Sequence, residues 1–246
     1  MIVIPMAGLS SRFSSAGYLK PKYMLEAHGK TLFSHAVSSF SGYYDSEKFL
    51  IIGRRVEGFD AFIKCEMRAL GVKSYQIIIL DEYTKGQADT VYKGLQLANI
   101  ADDEPLLIFN IDTFRPGFRL PTEFDISNID GYLEVFMGGG KNWSNVLPKC
   151  VKDQTVLKTA EKQEISNYCC TGLYYWGSSL IFKETFKQFV LDITSLGYEH
   201  ASELYIAPMY NYLITNAKNV RYSVVNETDV IFCGIPEEYE AFCASV

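Results

Sequence analysis

Two cations flank a run of small residues near the start of the chain. Arg12 follows Ala7, Gly8, Leu9, Ser10 and Ser11, and Lys22 follows Pro21. Small residues after an apolar strand let backbone N–H groups approach an anion closely, while a guanidinium and an ammonium neutralise phosphate charge. The segment is neither the GxGxxG dinucleotide pattern nor a P-loop ending in Lys-Ser/Thr. A nicotinamide-dependent oxidoreductase is therefore set aside for want of its glycine fingerprint.

Three further runs carry groups suited to the same chemistry. Gln87, in Lys85-Gly86-Gln87-Ala88, has an amide that can both donate to and accept from one base edge. Asn110-Ile111-Asp112 ends an apolar run, and in open α/β sheets ligands bind beyond the carboxyl ends of strands. A carboxylate there suits magnesium, which needs few protein ligands and shares its shell with phosphates and water. Glu161-Lys162 precedes Thr171-Gly172-Leu173-Tyr174. A helix start, a turn Asp and a surface Glu-Lys pair would read the same way if each stood alone.

Together these runs resemble the nucleotidylyltransferases that activate sugar phosphates. The family's AGxSxRF is met by Ala7 to Phe13, and its PK(Y/P)(M/L)L by Pro21-Lys22-Tyr23-Met24-Leu25. Its EKP is met by Glu161-Lys162-Gln163, with Gln163 replacing the proline, and its TG(L/I)Y by Thr171 to Tyr174. The resemblance implies an α/β, Rossmann-like nucleotidyltransferase fold with a doubly wound, mostly parallel sheet and a small acceptor-binding β/α subregion. It implies that residues 7–11 hold the triphosphate, with Arg12 on its β- and γ-phosphates and Lys22 on the α-phosphate. Gln87 and Asn110 join the nucleotide set. Glu161 and Lys162 take the acceptor's hydroxyls and phosphate, with Thr171 and Gly172 beside them, and Asp112 binds Mg²⁺.

The pattern departs from the family near its end. Where WxDxGTPE is usual, the chain has Val230-Ile231-Phe232-Cys233-Gly234-Ile235-Pro236-Glu237, so Phe232 stands in place of a second metal-binding Asp. Asp229, Glu199 and Glu203 are the acids available instead, and Asp229 is the choice. The expected reaction joins an NTP (CTP, UTP or dTTP) to a phosphorylated small molecule, a sugar 1-phosphate first, releasing pyrophosphate. The rivals are a cytidylyltransferase for a non-sugar acceptor and a non-catalytic nucleotide-binding regulator. Capsule or surface-polysaccharide precursor synthesis is the setting that the resemblance suggests, and a homo-oligomer is left open.

Alternating strands and helices must position these groups. Apolar runs at Met1–Ile4, Phe49–Ile52, Tyr75–Leu80 and Leu106–Phe109 read as buried strands. Helical spacing links Leu32 to Phe40, Phe59 to Leu70 and Ala88 to Ala98. This alternation predicts βαβ units and a parallel sheet. Beyond Asp112 the sequence predicts strands at 132–137 and 171–176, a hairpin about Lys152-Asp153, helices from Leu180 and from about Glu203 to Asn216, strands at 221–225 and 230–233, and a last helix opened by Pro236. We read 1–246 as one domain, with a nucleotide half to about 112 and an acceptor half from 113.

Composition agrees with that reading. The chain has 246 residues, 48% of them hydrophobic, and a net charge of −6. The charge argues against a nucleic-acid binder, whose affinity comes from clustered Lys and Arg. Six cysteines without a CxxC and three scattered histidines suggest neither disulfides nor zinc. No apolar run reaches the ~18–20 residues of a membrane helix, so the expectation is a cytoplasmic protein with no membrane partner.

Overall fold

The computed structural model describes residues 1–195 and 203–245. The chain opens with β1 (Ile2–Met6), the short helix α1 (Ser11–Ser15), a small ribbon of β2 (Glu26–Ala27) and β3 (Lys30–Thr31), and α2 (Leu32–Ser38). Then come β4 (Lys48–Arg54), α3 (Phe59–Leu70), β5 (Ser74–Leu80), α4 (Gln87–Leu97), β6 (Leu106–Phe109) and β7 (Thr113–Phe114). The second half holds β8 (Gly131–Met137), β9 (Ser144–Cys150), β10 (Thr155–Glu161), β11 (Tyr168–Trp176), α5 (Ser179–Ser195), α6 (Tyr210–Thr215), β12 (Val220–Val225), β13 (Ile231–Phe232) and α7 (Pro236–Ala244).

Side-chain alternation sorts the strands' apolar runs into two cores, one on each face of the sheet. Ile2 and Ile4 of β1, with Phe49 and Ile51 of β4, pack against Phe33 and Val37 of α2 and Ile63 and Met67 of α3. Val3, Leu50 and Ile52 face the other way, onto Ala88, Val91 and Leu95 of α4 and Phe182 and Phe186 of α5. Burial on both faces is why these strands read as continuous apolar runs rather than alternating ones.

Among the described residues, nine strands form one sheet in the order β5-β4-β1-β6-β11-β8-β12-β10-β9. The first four are parallel, as the alternation predicts. The chain steps outward from β1 to β4 and β5, then returns to lay β6 on the other flank of β1. The reversal leaves a crevice between the carboxyl ends of β1 and β6.

Beyond β6 the sheet is mixed, which corrects the expectation of a mostly parallel one. β11 runs antiparallel to β6 and to β8, β9 and β10 form an antiparallel hairpin, and only β12 runs parallel to its neighbour β8. Antiparallel neighbours need no helical crossover, and β9 and β10 are joined by the short turn at 151–154 alone. Two smaller differences follow from backbone bonding. Residues 203–205 are not the start of a helix, because Leu204 donates its N–H to the Lys85 carbonyl at 2.6 Å and accepts from Ala88 N–H at 2.9 Å. Helical structure begins with a single turn at Ala207–Met209, which leads into α6. The strand read at 230–233 is the two-residue β13, which pairs with β7 rather than with the main sheet.

Candidate active site

A cleft of about 1260 Å³ opens at the carboxyl ends of β1 and β6. The turn after β1 lines it from Ala7 to Arg12, with Ser10 in a left-handed conformation at φ 53°. Phe13, 1% exposed, anchors α1 edge-on against Tyr18 and Tyr239, and the preceding Arg12 faces the cleft. Lys22 is aimed by the same device. Its neighbour Tyr23 is buried against Phe59 and Phe62, which leaves the lysine to reach across the crevice.

There it meets the carboxylate after β6: Lys22 Nζ lies 2.5 Å from Asp112 Oδ2. Burial alone would raise the Asp112 pKa. The charge and hydrogen bond of Lys22, with a smaller contribution from Arg12, outweigh that and hold it below the ordinary 3.8. Asp112 is thus a carboxylate throughout the physiological range. It is fixed further by β7, whose pairing with β13 brings Cys233 N–H to the Asp112 carbonyl at 2.8 Å.

The loop before α4 forms the next wall. Gln87, the first residue of α4, donates from Nε2 to Asn110 Oδ1, so both polar side chains are mutually oriented. Gly86 has φ 133°, and a Cβ there would stand 2.6 Å from Leu204 N. Only glycine allows the loop to be clamped by that segment's backbone.

The acceptor motifs arrive from the mixed part of the sheet. In the β9–β10 hairpin Ser144 is the register partner of Glu161, and its hydroxyl donates to Glu161 Oε2. Burial raises the Glu161 pKa above 4.5 against the opposing pull of Ser144 and Lys162. Lys162, at φ 51°, donates its N–H to the Trp143 carbonyl at 3.1 Å. Its Nζ hydrogen-bonds the Tyr205 hydroxyl, which in turn donates to Glu203 Oε2 at 2.5 Å.

A register shift in β11 between Cys170 and Tyr174 pushes Thr171 and Gly172 toward the end of β6. Gly172 accepts from Asn110 N–H at 3.1 Å. Its φ is 97°, and a Cβ would lie 2.5 Å from Asn110 Nδ2. The Thr171 hydroxyl is committed to Glu134 at 3.0 Å, within a buried network in which Arg115 pairs with both Glu134 oxygens. Its contribution is to brace the bulge.

One cleft therefore gathers residues 7–12, Lys22, Gln87, Asn110, Asp112, Glu161, Lys162, Thr171 and Gly172. It does not gather Asp229. That side chain is exposed, accepts from Asn226 Nδ2 at 3.2 Å, and is absent from the cleft lining. Glu199 lies outside the described residues. Glu238 does face the cleft, but its Oε2 caps α7 by accepting from Gly234 and Ile235 N–H groups. Among the described residues no group of three or more His, Cys, Asp or Glu is placed to hold a metal. The single carboxylate of Asp112 still fits a hard dication that draws its remaining oxygens from phosphates and water. Trp143 and Ser144 line the cleft without having been singled out in the sequence, and Glu203 and Tyr205 line it from a stretch that reads equally as a helix start. Trp143 and Ser144 belong to no motif and follow a glycine run, so only pairing with 161–162 reveals them.

A mixed α/β sheet with four cations, Arg12, Lys22, Lys85 and Lys162, lining a cleft at its strand ends defines a nucleotide- and phosphate-handling protein. No protein-family model and no curated protein matches the sequence. Among solved structures, the chain is similar to a nucleoside-diphosphate-sugar pyrophosphorylase from Vibrio cholerae RC9 at 45% identity over 100% of both chains, with a TM-score of 0.92. The fold alone is shared with the inositol-1-phosphate CTP transferase from T. maritima, at 14% identity over 98% of this chain and 92% of that one, TM-score 0.73. It is also shared with a UDP-glucose pyrophosphorylase complexed with UDP-glucose, at 15% identity over 98% and 96%, TM-score 0.71. The chain belongs to the sugar-phosphate nucleotidylyltransferase family.

Proposed function

We propose that this chain transfers a nucleotidyl group from CTP, UTP or dTTP to a sugar 1-phosphate, giving a nucleoside-diphosphate sugar and pyrophosphate. The observation that carries this reading is the convergence of Arg12, Lys22, Glu161 and Lys162 on one cleft. The turn at residues 7–11, with Arg12, receives the triphosphate. Gln87, held by Asn110, reads the base. Lys162 holds the acceptor phosphate and Glu161 a hydroxyl.

An acceptor phosphate oxygen attacks the α-phosphorus in line, a new P–O bond forms, and the bond to the β-phosphate oxygen breaks as pyrophosphate leaves. No covalent enzyme intermediate is needed. Catalysis consists of holding two anions together and neutralising the charge that accumulates between them. Lys22 bridges the α-phosphate, and Arg12 stabilises the leaving phosphates. Magnesium held by Asp112 would supply further charge neutralisation when bound.

No helix among the described residues is long and apolar enough to cross a membrane, and the proposed place of work is the cytoplasm, supplying precursors for a surface polysaccharide. Incubating the protein with each nucleoside triphosphate and a panel of sugar 1-phosphates, with pyrophosphate as the readout, tests the proposal. Release that requires both substrates is expected. No release from any combination would overturn it.

A further inference from the structure

The acceptor end of the cleft has an aromatic floor that the phosphate chemistry does not use. Trp143 and Phe232 both line the cleft, with ring centroids 4.6 Å apart. Phe136, 2% exposed, backs them at 5.1 and 5.3 Å. Phe232 is the register partner of Thr113, the residue after Asp112, so the floor begins beside the carboxylate. Trp143 accepts the Lys162 N–H, and the next residue, Ser144, donates to Glu161. Floor, lysine and glutamate are thus one connected unit.

An acceptor held by its phosphate at Lys162 shares the cleft with these rings. Ring faces carry partial negative charge and favour C–H groups over anions, and the carboxylates of Glu161 and Glu203 line the same cleft. We propose that Trp143 and Phe232 are acceptor-specificity residues. They select an acceptor that is neutral apart from its phosphate, with an apolar C–H face stacked on Trp143, and they reject one with a second negative charge. This rests on the acceptor role proposed for Lys162.

Tryptophan emission gives a direct test. The sequence has two tryptophans, and Trp176 is 0% exposed, so a ligand-dependent change reports Trp143. Glucose 1-phosphate, a 6-deoxyhexose 1-phosphate, glucuronic acid 1-phosphate and inorganic phosphate are titrated into the full chain. Saturable emission changes are expected with the neutral sugars, at least tenfold weaker binding with the uronic acid, and no change with inorganic phosphate. Trp143→Phe should erase the signal. Trp143→Ala and Phe232→Ala, checked for folding by circular dichroism, should weaken neutral-sugar binding by about tenfold, a loss on the order of one stacking contact. Binding of inorganic phosphate, followed by calorimetry, should stay within about twofold. Equal binding of the uronic acid, no emission change with either neutral sugar, or unchanged affinity in Trp143→Ala overturns the proposal. If pyrophosphate release persists alongside such a result, only the specificity assignment falls. If release is absent from every mixture, the function proposed above falls with it.

Discussion

Lys22 Nζ and Asp112 Oδ2 stand 2.5 Å apart although 90 residues separate them in the chain. Lys22 follows β1 and Asp112 follows β6, the two strands that flank the crevice. The pair holds Asp112 ionised and fixes both side chains where phosphates are proposed to bind. Little reorganisation then remains for the reaction itself, which is what makes fixed charges effective in catalysis. Lys22 is 20% and Asp112 24% exposed, so incoming phosphate oxygens can reach both.

Lys22→Ala and Arg12→Ala should each lower kcat by about 10²–10³-fold, the usual effect of removing one fixed transition-state contact. Circular dichroism should remain native, because Tyr23 and Phe13 anchor the two segments. Without Lys22, the Asp112 pKa should rise, and NMR titration of its carboxyl resonance checks this. Near-normal pyrophosphate release by both variants would reject the site.

Lys162→Ala and Asp112→Asn should fail differently. The lysine variant should raise the acceptor KM about tenfold or more and leave NTP binding nearly unchanged, with some loss of kcat from a misplaced nucleophile. The asparagine variant should lose most of kcat and need more Mg²⁺, since an amide is a poorer ligand for a hard dication. Separate titrations with acceptor, NTP and metal distinguish them. A Lys162→Ala enzyme that loses NTP affinity as much as acceptor affinity would contradict the division into two halves.

Gln87→Ala should narrow the ratio of kcat/KM between the best and second-best nucleotide, because the amide that reads the base edge is gone. Steady-state kinetics with all four triphosphates measure it. An equal fall for all four would mark Gln87 as a support for Asn110 only.

Glu161 gives a prediction with a defined sign. Burial lifts its folded-state pKa above 4.5, so folding favours the protonated form. That stabilisation is complete below the unfolded pKa and is lost as pH rises through the folded one. Glu161→Gln, permanently neutral, lacks this dependence. The variant's Tm minus the wild-type Tm should therefore increase from pH 4 to pH 7, followed by thermal denaturation. A difference that stays flat or falls would show that the carboxyl is not destabilised by burial.

The parallel half was legible because its signal is local. Strands buried on both faces must be continuous apolar runs, and the helices between them must carry one apolar stripe, so β1, β4, β5 and β6 and their helices stand in the sequence itself. Arg12, Lys22 and Asp112 were legible for a related reason, since Arg12 and Lys22 stand in a motif that begins right after β1, and Asp112 closely follows β6. What the sequence could not decide is what depends on contact between distant backbones. The mixed pairing of β8 to β12 follows from which edges meet. The bulge at Thr171–Gly172 is defined only against β8, and the short strand β13 only against β7. Residues 203–205 look like a helix start until Leu204 is seen bonded to Lys85 and Ala88. Asp229 was a reasonable acid by position, yet a turn at 227–229 points it away from the cleft. Trp143 and Ser144 became site residues only through register with Lys162 and Glu161. Local periodicity records which side of an element is buried, and only tertiary packing determines which neighbour buries it.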